Sequence, residues 1–314
     1  MYNHTHSLKA KIPFRIWMYI TLVVLLWGTA GTVEVVSLRF LSPLLFGAWS
    51  CVCGAAGVLA YLFYHGRVQE LLSYRMIDHI RLFIISLLGF GLYFLLKYTA
   101  YSTSPVPEAS VLQSTYMVFI ALFAIPVLGQ SGGFSKLFGI IMGFCGAALV
   151  ISGGTFLTFE PSYIPGYFCA IGAGISFGLF SVFSEKAAFD RITSLFFFHF
   201  YSAILLFLIL AGRGEFLIPI IPVEIAGIFY NGIAVNVLGI FLWLTAQGST
   251  DDVSLLTGVL YLVPFISLLF FHLFLGMSIP MYSLQGLMLI VGGMAIHIVR
   301  MRMSRKKETV VTAK

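Results

Sequence analysis

A chain of 314 residues in which 60% are hydrophobic and only 10% charged lies far from soluble domains, where about a quarter of residues carry charge. Its mean hydropathy of +1.00 puts it in a bilayer. Apolar runs of about 20 residues, without alternating ten-residue segments, exclude a membrane barrel and indicate helices. The net charge of +6 reports topology and not nucleic-acid binding, because the basic residues lie between and after the apolar runs.

The expected fold class is an all-α membrane protein with ten transmembrane helices. Residues 1–15, MYNHTHSLKAKIPFR, read as a retained cytoplasmic tail, since the apolar run behind them exceeds a signal-peptide core and lacks a small-residue cleavage site. Spans are then expected at 16–38, 43–64, 82–101, 107–128, 137–152, 166–184, 194–210, 223–246, 253–275 and 284–299. With the N-terminus inside, fifteen Lys and Arg fall on inner segments, and only Arg39, Lys97 and Arg213 fall on the outer half. Short basic loops stay cytoplasmic, so both termini are expected inside a cytoplasmic membrane. Residues 300–314 are expected to be a disordered basic tail at the lipid surface. Cys51, Cys53, Cys145 and Cys169 all sit in apolar runs and imply neither a disulfide framework nor a metal.

The chain repeats itself. Trp27-Gly28 recurs as Phe177-Gly178, Thr99-Ala100 as Thr245-Ala246, and Leu137-Phe138-Gly139 with Gly146 as Leu284-Gln285-Gly286 with Gly293. Each pair is about 150 residues apart, and a unit of five helices, being odd, must enter the membrane upside down the second time. The expected division is 16–153 for the first five-helix repeat, 154–165 for the connecting loop, 166–299 for the second repeat, and 300–314 for the tail.

Polar residues within the spans are the candidates for function. Glu34 is a carboxylate well inside an apolar run, on one helical face with Trp27 and Gly31; a charge at the membrane centre costs about 2.5–3.5 kcal/mol on insertion scales. It reads as a proton-coupling or substrate-amine site, or as a carboxylate reaching interfacial water. Lys97, on a face with Tyr93 and Tyr101, either pairs with Glu34 or snorkels to the interface, and snorkelling is the expectation. Span eight places Gly232, Asn236, Gly239 and Trp243 on one face by α-helical spacing, with Asn231 beside it. Asn231, Asn236, Gln113, Tyr116, Thr257 and Tyr261 each read as a ligand contact or as a helix–helix hydrogen bond.

Other features read as structural. Pro126 and Pro264 are expected to kink spans four and nine. The glycines of spans five and ten (Gly139, Gly143, Gly146; Gly286, Gly292, Gly293) form faces for close packing or for a homodimer. Glu108, Asp251 and Asp252 are expected to cap helix starts. The Phe-rich FFFHF of span seven is expected to face lipid. His199, His272 and His297 are isolated, and no metal site is expected.

LLWGTAGTVE in span one, SPLLFGAW opening span two, LKYTAYS leading into span four and the Gly-rich fifth and tenth spans together resemble EamA-type members of the drug/metabolite transporter superfamily. The resemblance implies two inverted five-helix repeats around a central cavity lined by spans one, three, four, six, eight and nine. The chain departs from that pattern at Ser50, where similar proteins often carry Arg, and at Gln130 and Met277, where they often have Leu-Gly-Glu.

The function expected is a secondary transporter, without cofactor, for a small organic metabolite, most simply an amino acid or amine. Trp27, Tyr93, Tyr116, Trp243 and Tyr261 would supply apolar walls or cation–π contact. Membrane lipids, the small-molecule substrate, protons as coupling ion and a second copy of the chain are the partners considered. The alternatives are a membrane-embedded enzyme, for which H-E-x-x-H and P-loop motifs are missing, and a non-transporting receptor or scaffold.

Overall fold

In a bilayer every backbone N–H and C=O must find a partner within the chain, and each apolar run meets this demand as a helix. The computed structural model describes residues 13–130, 133–154, 160–215, 217–248 and 259–312, and among these no strand occurs. Helices α1 (Phe14–Ser37), α2 (Pro43–Tyr64), α3 (Met76–Thr103), α4 (Val106–Leu128) and α5 (Phe134–Ile151) are followed by α6 (Ile164–Ala187) and α7 (Arg191–Arg213). Helix α8 runs through three consecutive pieces, Pro222–Phe229, Tyr230–Gly239 and Ile240–Gly248, and α9 (Val263–Leu275) and α10 (Met281–Thr312) complete the set. By length and composition, 8 helices among the described residues can cross a membrane. The apolar parts of the last two, Val263–Leu275 and Met281–Ile296, are shorter. The expected start of span nine, including Asp251, Asp252 and Thr257, lies outside the described residues.

Local chemistry sets the helix ends. Ser42 caps α2 by accepting from the Leu45 N–H, with Pro43 in the first turn, and Asp190 caps α7 by accepting from the Thr193 N–H at 2.9 Å. Gly214 (φ 66°) and Gly276 (φ 63°) end α7 and α9 in the left-handed conformation that glycine adopts without strain.

Two expectations about boundaries are corrected. Span three begins at Met76 and not at residue 82, so Asp78 and Arg81 stand inside its first turns, with Arg75 and Arg81 both within ion-pair distance of Asp78. The tail is not disordered: α10 continues to Thr312. Extending an existing helix adds one hydrogen bond per residue without a new nucleus, and Met, Arg, Lys and Glu are good helix formers.

Close helix pairs relate the two halves. Helices α5 and α10 cross antiparallel: a Cβ at Gly139 would lie 2.6 Å from the Gly293 carbonyl oxygen, and one at Gly146 would lie 2.5 Å from that of Gly286. Under the sequence repeat Gly139 corresponds to Gly286 and Gly146 to Gly293, so the two contacts exchange with each other. The same holds elsewhere. Gly28 of α1 packs on Ile266 of α9, and its counterpart Gly178 of α6 packs on Phe119 of α4. Helices α2 and α7 are also antiparallel, with Trp49 against Phe207 and Gly54 against His199. The glycines expected to form a packing or dimer face are thus spent within the chain, except Gly292, which has nothing within 4 Å.

Irregularities fall at matching places too. Helices α3 and α8 each contain a π-helical stretch, Leu87–Leu92 and Tyr230–Gly239. Helix α4 breaks at Ser114-Thr115, between Val106–Gln113 and Tyr116–Leu128, and the chain turns at Tyr261-Leu262 just before α9. The expected proline kinks are displaced accordingly. Pro126 lies within Tyr116–Leu128, and Pro264 sits in the first turn of α9, where a missing N–H costs nothing. The α4 break belongs to Ser114 and Thr115, whose hydroxyls bond back to the Ser110 and Leu112 carbonyls at 2.9 and 2.6 Å and compete with the helix ladder.

The FFFHF segment does not simply face lipid. Five successive residues of a helix point all round it; Phe197, Phe198 and His199 are buried against α2 and α3 while Phe200 is 40% exposed.

Candidate functional site

The π-helical stretches of α3 and α8 bracket the most polar part of the interior. The α3 stretch ends directly before Tyr93, so that Tyr93, Lys97, Tyr98 and Tyr101 follow on a regular helix turned towards α1 and α8. Opposite them, Glu34 comes from the last turn of α1, only 1% exposed. Lys97 is 8% exposed and does not snorkel. Its ammonium stands 2.8 Å from Glu34 Oε1 and 2.7 Å from Oε2. Snorkelling fails because a fixed carboxylate lies nearer than water, and an ammonium left unpaired inside would cost several kcal/mol.

Aromatic rings complete the cation's surroundings. Lys97 Nζ lies 5.7 Å from the Tyr93 ring centroid, 5.8 Å from Tyr98 and 5.7 Å from Tyr101, each within cation–π range. Asn231 of α8 donates to Glu34 Oε1 at 3.4 Å and to the Tyr98 hydroxyl at 2.6 Å. Asn236 donates in turn to Asn231 Oδ1 at 3.1 Å. This last bond spans five residues, the spacing that π-helical geometry brings onto one face. The α-helical reading of span eight is therefore corrected: Asn231 and Asn236 share a face, Gly232 packs against Ser50 and Cys53 of α2, and Gly239 packs against Trp27.

Gln113, the last residue before the α4 break, donates to the Tyr93 hydroxyl at 2.9 Å. Phe177 of α6 lies against both Tyr93 and Tyr116, joining span four to the same wall. The structure thus brings Glu34, Tyr93, Lys97, Gln113, Asn231 and Asn236 into one network, with Tyr116 at its edge. Trp27 and Trp243 form a separate aromatic pair, 6.5 Å between centroids, and Trp27 Nε1 donates to the Val235 carbonyl. Tyr261 is half-buried at the turn before α9, in the same apolar cluster as Tyr116.

Sequence reasoning missed Tyr98, which is fully buried and holds Asn231. Its position next to Lys97 puts it off the Tyr93-Lys97-Tyr101 face, and only the approach of α8 brings that side of α3 into the network. Two buried oxygens at the network lack an aligned hydrogen bond: Glu34 Oε2, which meets only the ammonium, and Ser50 Oγ of α2. No group of three or more His, Cys, Asp or Glu able to hold a metal occurs among the described residues.

Glu108 also departs from expectation. Its side chain caps no helix; it reaches instead to α6 and α10, accepting from the Tyr167 hydroxyl at 2.9 Å on Oε2 and from Tyr282 at 2.5 Å on Oε1, and it is 4% exposed. At the other end of the molecule, Arg67 after α2 forms a two-bond pair with Glu70 and lies 3.4 Å from Asp190 at the start of α7. The Arg67 hydrogen bonds hold the exposed Glu70 carboxyl below the usual carboxylate range.

Comparison with known proteins follows the same lines. The model of the EamA-like transporter family matches residues 15–152 and 164–299. An uncharacterized transporter of Archaeoglobus fulgidus is 24% identical over 256 residues, covering 81% of this chain and 86% of that protein. The uncharacterized transporter YvbV of Bacillus subtilis is 25% identical over 279 residues, covering 87% and 88%. A solved crystal structure is similar with a TM-score of 0.66 and 22% identity over 92% of this chain and 98% of the other, a likeness of fold alone.

Proposed function

Because the chain belongs to the EamA-like transporter family, we propose that this multi-pass membrane transporter carries a small organic solute bearing an amino group, an amino acid or a simple amine. Ten helices in two inverted repeats of five, divided at residues 154–165, would work by alternating access in the cytoplasmic membrane with both termini inside. The observation that carries this reading is the buried Glu34–Lys97 pair, caged by three tyrosines and held by Asn231 at the level of the π-helical stretches.

Of the two roles considered for Glu34, amine recognition has the better support. Protonating Glu34 would leave the Lys97 ammonium uncompensated in the interior, which is strongly unfavourable. A zwitterion supplies both missing charges at once: its ammonium replaces Lys97 on Glu34, and its carboxylate takes Lys97. Glu34 Oε2, without an aligned donor in this structure, is the atom such an ammonium would meet, and the tyrosine cage would serve it as it serves Lys97. Gln113, Asn236 and Tyr116 would then contact the rest of the solute, with Trp27, Trp243 and Tyr261 forming apolar walls.

Proteoliposomes containing the purified protein, screened against amino acids and amines, test the proposal. Saturable uptake of at least one of these is expected, and Glu34→Gln should abolish it. Uptake that survives in Glu34→Gln at the wild-type level, or a panel with no transported member, would refute it. Impermeant thiol labelling of cysteines placed after Arg15 and Lys306 tests the orientation, and labelling of either from outside intact cells would reverse it.

A further inference from the structure

Glu108 is a buried carboxylate that the proposed solute site does not use. Its setting is unlike that of Glu34. Both oxygens are occupied by neutral phenol hydroxyls, Tyr167 from α6 and Tyr282 from α10. The clasp ties the first turn of α4 to helices of the second half. Among the described residues no cation forms an ion pair with Glu108.

The first half of α4 packs against α3, α5, α6, α9 and α10; Asp78, His79 and Arg81 of α3 and Glu185 and Lys186 of α6 lie at the far ends of their helices from it. Tyr167 and Tyr282 touch the carboxylate directly; Tyr163, in the turn before α6, stands against Tyr167, and Glu160 before it bonds to Ser162. From α3, Lys97 is bound to Glu34, and Tyr93 accepts from Gln113. Tyr98 accepts from Asn231, and Tyr101 lies edge-on to Phe271. His272 of α9 is exposed and bonded to the Met277 carbonyl. On α5, Lys136 lies at the opposite end and is bonded to Gln130.

We infer that Glu108 is a proton-binding site, and that taking up a proton loosens the clasp joining α4 to α6 and α10. As a carboxylate, Glu108 accepts from both tyrosines; a carboxyl group has one O–H and one remaining carbonyl acceptor, so one hydroxyl can no longer donate as it does here and must turn to accept the new O–H or part from it. Glu34 has no such arrangement, because the Lys97 ammonium meets both of its oxygens. The coupling proton weighed for Glu34 is thus assigned to a different carboxylate, one whose protonation changes a contact between halves; a proton shifts a conformational equilibrium only through such a differential interaction.

The test needs no solute. Infrared difference spectra of the purified protein across a pH series should show the carbonyl stretch of a buried protonated carboxyl appearing on acidification. Glu108→Gln should remove that band, and Glu34→Gln should leave it. Tyr282→Phe keeps the ring and removes one donor to the charged form, so the band should titrate about one pH unit higher, the effect of losing one hydrogen bond to a charged group. Hydrogen exchange over residues 106–113 and 281–285, corrected for intrinsic rates, should speed up about ten-fold on acidification in the wild type and become independent of pH in Glu108→Gln. A band that persists in Glu108→Gln, a midpoint unmoved in Tyr282→Phe, or exchange indifferent to acid in the wild type would each overturn the inference. Because Tyr282→Phe leaves Glu108 in place, it decides the matter even if Glu108→Gln does not fold. Failure to find a transported amine would not touch these readouts.

Discussion

Glu34 and Glu108 are both glutamates buried in apolar helices, and both have two oxygens engaged, yet their partners give them opposite characters. Glu34 joins α1 to α3 and α8 through a cation and an amide. Glu108 joins α4 to α6 and α10 through two hydroxyls. The first is neutral as a pair with Lys97, whereas the second forms no ion pair among the described residues. The charge of the nearest donor distinguishes them. With their direct partners the two glutamates link six helices, α1, α3 and α8 through Glu34 and α4, α6 and α10 through Glu108.

Breaking the pair at Glu34 should have the largest effect. Glu34→Gln strands a buried ammonium and should destabilise the purified protein by about 3–5 kcal/mol, read as a large fall in thermal unfolding temperature. The double variant Glu34→Gln with Lys97→Met should recover most of it, and no recovery would mean that the pair is not the unit that matters. Asn231→Leu comes next, at about 2 kcal/mol, because it leaves the Tyr98 hydroxyl and the Asn236 amide without partners. The same unfolding assay measures it. If Asn231→Leu proves neutral, the amide belongs to a solute site and not to the scaffold.

Glu108→Gln should cost about 1–2 kcal/mol at neutral pH, since the amide oxygen can still accept one hydroxyl. Under the inferred proton uptake the advantage of the wild-type carboxylate is lost on acidification, so the Glu108→Gln deficit should shrink in acid; a deficit unchanged in acid would count against the inference. Tyr167→Phe is the mildest change, about 1 kcal/mol, and should shrink with acid in the same way.

Much of the architecture was legible because it follows from composition and period. The apolar runs, the repeat and the helix start at Pro43 all appear in the described structure, while span seven, expected from residue 194, begins at Arg191 behind its Asp190 cap. The site was legible in part. Glu34, Lys97, Tyr93, Gln113, Asn231 and Asn236 were all candidates, since polar groups in apolar runs declare themselves by their expense. Their partners were not legible. Lys97 looked like a snorkelling residue because terminal lysines usually reach water, and no sequence pattern says that a carboxylate 63 positions earlier lies closer. Glu108 looked like a cap because it opens a helix, yet its acceptors were claimed by tyrosines 59 and 174 positions away.

By itself the sequence determined that this chain lives in a bilayer, that it is helical and that its halves repeat, because hydrophobicity and the need to close backbone hydrogen bonds act locally along the chain. Only the tertiary structure decided where helices depart from α geometry and which buried charge meets which partner. The π-helical turns of α3 and α8 and the break in α4 shift the facing of every side chain beyond them. A pairing of buried polar groups is settled by a few ångströms of approach between helices distant in sequence, which no local pattern encodes.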